Sequence, residues 1–212
     1  MTAPHPSDAA ADARRWVPIL ARYRDPSDRR SLLEIGLTLG PFLLLWGLGW
    51  WALSISPWLA VPIAIFNGFF LVRLFVIQHD CGHGALFSNK TLGDWVGRAL
   101  GVLTVTPYDV WQRIHAAHHG TAGNLDRRGP GEVYTMTTAE YRAESRLGRL
   151  RYRLYRHPVV LFGIGPAWVF LFENRLPLGL MRAGARYWVS AMGTNIAVFF
   201  VLGAVVMFGG LD

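Results

Sequence analysis

The sequence predicts an all-α integral membrane protein, with three transmembrane helices and additional interfacial helices. Three observations carry that expectation. Residues 35–72 contain no charged side chain. The chain is 52% apolar and only 17% charged over its 212 residues. Its basic residues fall in blocks on either side of the uncharged run. As a helix that run would be about 57 Å long at ~1.5 Å per residue, against a hydrocarbon core of roughly 30 Å. It is too long for one crossing and suits two.

Taken in chain order, residues 1–30 are polar, rich in alanine and proline at the start, and lack the apolar core of a signal peptide. They read as a disordered cytoplasmic tail, followed by one membrane domain over residues 31–212. Its first two spans are expected at residues 32–53 and 58–77, joined by Ser54-Ile55-Ser56-Pro57. Pro41 and Pro62 are tolerable within membrane helices, where neighbours re-satisfy the freed backbone. Arg73 is expected to snorkel to the interface or to meet an acid such as Asp80. Residues 95–107 are too short to cross and carry Arg98, which suits an interfacial segment. Residues 158–172 are apolar but contain Gly163, Gly165 and Pro166, and Arg175, Arg182 and Arg186 follow them. A crossing there would put those three arginines outside, so this segment is expected to lie in or dip into the cytoplasmic leaflet. The third span is expected at residues 187–208, with Asp212 on the far side.

The charge distribution sets orientation and excludes a function class. Six arginines precede the first span, none lies between the first two, and eleven Lys/Arg fall within residues 90–156. That is the asymmetry of cytoplasmic segments beside a bilayer. It accounts for the net charge of +7, and neither zinc-finger spacing nor an RNA-binding signature occurs, so no nucleic-acid partner is expected. The single cysteine, Cys81, rules out an internal disulfide and reads as a packing residue.

Five of the seven histidines fall between positions 79 and 119. On a helix, residues three and four apart share a face. His79 and His83 are an i, i+4 pair, and His115 meets His118 at i+3 and His119 at i+4. Two separate segments therefore each present an imidazole edge, the donor that suits iron, zinc, copper and nickel. H-E-x-x-H, E-x-x-H and structural Cys/His zinc spacings are absent. The five histidines are expected to be metal ligands at a membrane surface, gathered in one metal-sized cluster.

H-D-C-G-H at 79–83 and H-A-A-H-H at 115–119 resemble the H-x3-H and H-x2-H-H boxes of membrane fatty acid desaturases. LVRLFVIQHDCGHGALF, GRALGVLTVTPYDVWQRIHAAHHGTAGNLDRRG and YRLYRHPVVLFGIGP are similar to bacterial acyl-lipid desaturases of the omega-6 (delta-12) type. The resemblance runs over roughly residues 20–210. It implies a di-iron centre on the cytoplasmic face, in a bacterial inner membrane. That centre would use O2 to introduce a double bond into the acyl chain of a membrane lipid. Electrons would come from a donor such as ferredoxin or a cytochrome.

Alkyl C–H cleavage offers no acid/base handle, so a redox metal has to carry it. Beyond the ligands, Asp80, Asn124 and Asp126 are candidates to orient a ligand imidazole. Phe87, Trp95, Tyr108 and Trp111 are candidates to line an acyl slot. Each of these has a plainer reading as a cap, a turn or an interfacial aromatic anchor. The family carries a third H-x2-H-H box after a fourth span, and neither precedes Asp212. His5 and His157 do not replace it, since neither has a histidine at i±3 or i±4. The ligand set is thus short by at least three, and the chain is expected to be incomplete and inactive alone. Two other readings stay open: a histidine-box hydroxylase or ketolase of alkyl or carotenoid substrates, and a non-catalytic metal- or lipid-binding membrane protein.

Overall fold

The computed structural model describes residues 6–129, 131–176 and 178–209. The described residues form helices and turns with no strand. Among the described residues three helices are long and apolar enough to cross a membrane, Asp28–Leu53, Pro57–His83 and Ala185–Met207. The chain is an integral membrane protein of the all-α class. It divides into two compact units, residues 1–96 and 97–212.

The first unit begins with α1, Pro6–Ala21. Trp16, Ile19 and Leu20 recur at helical spacing and are exposed, with Arg14 on the opposite face and Arg15 at the edge of the stripe. An apolar stripe bordered and opposed by arginines is the pattern of a helix lying in a membrane interface.

The two long helices that follow are α2, Asp28–Leu53, and α3, Pro57–His83. They pack as an antiparallel hairpin whose turn is closed by Ser56, whose hydroxyl accepts from the Trp58 N–H at 3.3 Å. The buried positions of α3 step by sevens through Ala60, Asn67, Leu74 and Cys81, and those of α2 include Ser31, Thr38 and Ala52 at multiples of seven. Mostly small side chains at that period let two membrane helices approach closely.

Arg73 does not reach Asp80. Its guanidinium donates to Glu34 at 2.5 Å and to Thr38 at 2.9 Å. Glu34 and Thr38 sit one turn apart on α2 opposite it, whereas Asp80 lies two turns further along α3 and bonds His79 instead. After α3 the chain is fastened back to the start of α2. Ser31 donates to the Leu86 carbonyl, and the Ser88 N–H and hydroxyl both donate to Asp28, at 2.8 and 2.6 Å.

The helix α4, Lys90–Leu103, begins earlier than the expected interfacial segment and ends before it. Gly93, Gly97, Leu100 and Gly101 form its buried stripe. In the second unit, residues 104–107 make a tight turn in which Val105 takes a φ of 57°, a left-handed conformation costly for a β-branched residue. The helix α5, Tyr108–Thr121, follows. Residues 128–129 and 131–137 are irregular and strapped down. Arg128 donates to the Thr135 carbonyl, and the Tyr134 and Met136 N–H groups donate to the hydroxyls of Tyr155 and Tyr152.

Next come α6, Thr138–Ala143, opened by a reciprocal Thr137/Glu140 capping box, and α7, Arg146–Tyr155. A π-helical turn, Val160–Ile164, leads into α8, Gly165–Leu171. The run from Val160 to Arg175 meets α7 at 56°, so the apolar 158–172 region belongs to a bent pair rather than a straight crossing. The last helix, α9, is Ala185–Gly209. Asp212, expected on the far side, lies outside the described residues.

Candidate metal centre

Box one occupies the last turn of α3. Gly84 takes the left-handed conformation that ends the helix, at φ 66°, and the Gly84 and Ala85 N–H groups donate to Cys81 and Asp80 carbonyls at 3.0 and 2.9 Å. This cap satisfies carbonyls that would otherwise fray the turn. On that ordered turn the Nε2 atoms of His79 and His83 lie 3.2 Å apart. Nδ1 of His79 lies 3.1 Å from Asp80 Oδ1. A neutral imidazole that donates Nδ1–H to a carboxylate keeps Nε2 as its lone-pair donor.

Box two repeats the geometry on α5. Nε2 of His115 and Nε2 of His119 are 3.0 Å apart. Trp111, buried, stacks on His115 with ring centroids 4.6 Å apart and planes 15° apart, which fixes the plane of that imidazole. Two nitrogens each ~2.1 Å from one ion and roughly at right angles to each other at it are about 3 Å apart. Each pair therefore fits as two cis ligands of one metal ion.

The base of α5 is held by charge. Asp109, 4% exposed, accepts from Arg98 at 2.9 Å through both oxygens and from Arg186 Nε at 2.7 Å. Its own N–H donates to the Ser190 hydroxyl at 3.1 Å. Burial pushes this carboxyl up, but the hydrogen bonds and charges of Arg98 and Arg186 outweigh it and leave the group below its ordinary value. Tyr108, fully buried, packs on Gly97, where an added Cβ would overlap its ring.

His118 takes a different place from its two box partners. Its Nδ1 is buried without a hydrogen-bond partner and lies 4.0 Å from Glu132 Oε1. Among the other candidates, Asn124 and Asp126 form an Asx turn, Asn124 Oδ1 accepting from the Asp126 N–H at 3.0 Å. Phe87 is buried against Gly93 and Trp95 is exposed. Nδ1 of His157 accepts from the Val159 N–H at 3.3 Å. In the first unit a groove of about 900 Å³ has an apolar side that includes Phe69, Val72 and Val76 and a charged side that includes Arg30, Glu34, Arg73 and Asp80. None of the four aromatic slot candidates lines it. Asp109, Glu132 and this groove escaped the sequence reading. The one available signal was Asp109 as a lone acid in the otherwise uncharged stretch from 99 to 112.

Residues 56–212 match the family described as "Fatty acid desaturase". The chain belongs to the fatty acid desaturase family. It is 38% identical over 191 residues to a fatty acid desaturase of Bacillus subtilis (strain 168), covering 90% of this chain and 54% of that protein. Over 150 residues it is 33% identical to an sn-1 acyl-lipid omega-3 desaturase (ferredoxin) of Synechocystis, covering 67% of this chain and 39% of that one. An sn-1 oleoyl-lipid 12-desaturase of Arthrospira platensis is 32% identical over 111 residues, 52% of this chain and 31% of that one. This desaturase-family chain thus spans about half the length, or less, of the curated relatives it matches. No solved structure matches it.

Proposed function

We propose that the chain forms the iron-binding part of an O2-dependent acyl-lipid desaturase, with His79, His83, His115, His118 and His119 as ligands. The observation that carries this reading is the pair of Nε2 atoms about one chelate width apart on each of two helices, 3.2 and 3.0 Å. Iron bound there would supply the redox chemistry that an unactivated alkyl C–H bond requires. The chain's own contribution is orientation. Asp80 holds the His79 ring by Nδ1, and Trp111 holds the His115 ring by its face.

The groove along α3 offers an apolar side for an acyl chain and a charged side for a polar head group, and Asp80 ties it to box one. The substrate is a membrane lipid acyl chain, and the electron donor is a ferredoxin or a cytochrome; the Synechocystis relative, an acyl-lipid desaturase (ferredoxin), supports the lipid substrate and the first of these donors. The arginine distribution supports an inner-membrane location with both boxes facing the cytoplasm.

The test joins this chain to the remaining half of the Bacillus subtilis relative. The fusion is expressed with a ferredoxin and its reductase in a host whose lipids carry oleoyl chains. Diene lipids are expected to rise, and H119A in the same fusion to abolish the rise. Oxygenated acyl products would instead establish the hydroxylase reading. Iron-free protein with unchanged lipids would overturn the enzyme reading altogether.

A further inference from the structure

Two deficits meet beside α5. Nδ1 of His118 is buried with no hydrogen-bond partner, and a buried ring nitrogen left unpaired is costly. The Glu132 carboxylate, its side chain 15% exposed, receives one hydrogen bond, from the Thr121 hydroxyl to Oε1 at 2.8 Å. The two atoms stand 4.0 Å apart, too far for a hydrogen bond and too close to admit a bridging water. Closing that gap requires only a shift of the carboxylate, whose terminal torsion is broad and soft.

The backbone is arranged to deliver Glu132 there. Gly131 has φ +82°, and a Cβ on it would sit 3.2 Å from Ile114 and 3.7 Å from the His118 Cβ. A Cβ on Gly129 would collide with Thr121. Both glycines let the strap lie directly on the helix face that carries Ile114, His118 and Thr121.

We infer that Glu132 is the positioning residue of His118: it accepts the Nδ1–H of that imidazole and leaves Nε2 as the donor to metal. The opposite tautomer would set an Nδ1 lone pair against a carboxylate, so the pairing selects one proton position. Metal-bound histidines are commonly held this way, and loss of such a partner typically lowers metal affinity 10–100-fold. The inference rests on the proposed role of His118 as a ligand, and its primary readout is independent of metal.

The 212-residue chain, labelled with 15N at histidine and purified in detergent, is examined by long-range 1H–15N correlation at pH 9, where ordinary imidazoles are neutral. The His118 signals are assigned by their loss in H118N. Wild type is expected to show the Nδ1–H form. E132Q, which keeps an acceptor oxygen, should retain it, and E132A should convert to Nε2–H. Ferrous affinity is then titrated, and E132A is expected to weaken it at least tenfold while E132Q weakens it less. An Nε2–H form in wild type, or an unchanged tautomer in E132A, would overturn the inference. A wild-type chain that keeps the Nδ1–H form yet takes up no ferrous ion would sink the metal centre and leave the Glu132 hydrogen bond standing.

Discussion

His115 lies face to face on Trp111, one helical turn before it, with 15° between the ring planes. The indole is buried and the imidazole half-buried, so the stack clamps the His115 ring from its inner side. Stacked aromatic pairs contribute about 0.5–1.5 kcal/mol beyond burial, or roughly 2–10-fold in a binding constant. W111L should therefore weaken ferrous binding several-fold, and W111F should recover most of the loss. Titration calorimetry on the three proteins measures it, and equal affinities in all three would remove Trp111 from the centre.

Asp109 joins three elements through Arg98, Arg186 and Ser190. Removing one partner of a buried ion pair costs about 3–5 kcal/mol, but Arg186 is more than half exposed, which discounts the figure to about 1–3 kcal/mol. D109N should lower the unfolding midpoint accordingly and leave the paired arginines without a counter-charge. The sign with pH follows from the lowered carboxyl. Its stabilisation is complete above the ordinary carboxylate range and fades as pH falls through its depressed value in the fold. A D109N protein as stable as wild type at pH 7, with the same acid sensitivity, would contradict this account.

Glu140 anchors the strap that carries Glu132. The Thr137 N–H and then the Arg128 guanidinium bring its carboxyl from 4.5 down to about 2. A depressed carboxyl contributes stability above its unfolded value and loses it as pH falls through its folded one. The window is thus pH 4.5 down to about 2. Amide exchange in residues 128–137 should accelerate across that window in wild type. E140Q should exchange fast throughout, with no such step.

The membrane hairpin was legible because its determinants are local: an uncharged run of known length, a break at 54–57, and arginines at one end. The histidine pairs were legible because four-residue spacing on a helix is itself geometry. What stayed hidden depends on pairings across the chain. Arg73 takes Glu34, 39 positions away, and Arg186 takes Asp109, 77 away; no local pattern marks either. Within α1, Trp16, Ile19 and Leu20 stand at helical spacing among alanines and prolines that resemble a linker. Glu132 was missed because Gly129 and Gly131 read as an ordinary turn, and only the packed structure shows which helix they approach.

Gly84 offers the most direct test of how the fold holds box one. Nothing lies within 4 Å of a Cβ placed there, yet its φ is +66°, so a side chain would fit in space and be strained only by the backbone. An alanine in that conformation costs about 1 kcal/mol. The helix can relieve the strain by releasing the Gly84 and Ala85 hydrogen bonds to Cys81 and Asp80, which unwinds the turn bearing His83. G84A should therefore raise amide exchange at Ala85 and weaken ferrous binding by roughly fivefold, the equivalent of ~1 kcal/mol. G84N should fall between the two, because asparagine tolerates the left-handed region better than alanine. Because the added methyl meets no neighbour, any loss is attributable to the cap rather than to crowding. If G84A binds iron as tightly as wild type while Ala85 exchange rises, the His79–His83 spacing is held by something other than the helix end.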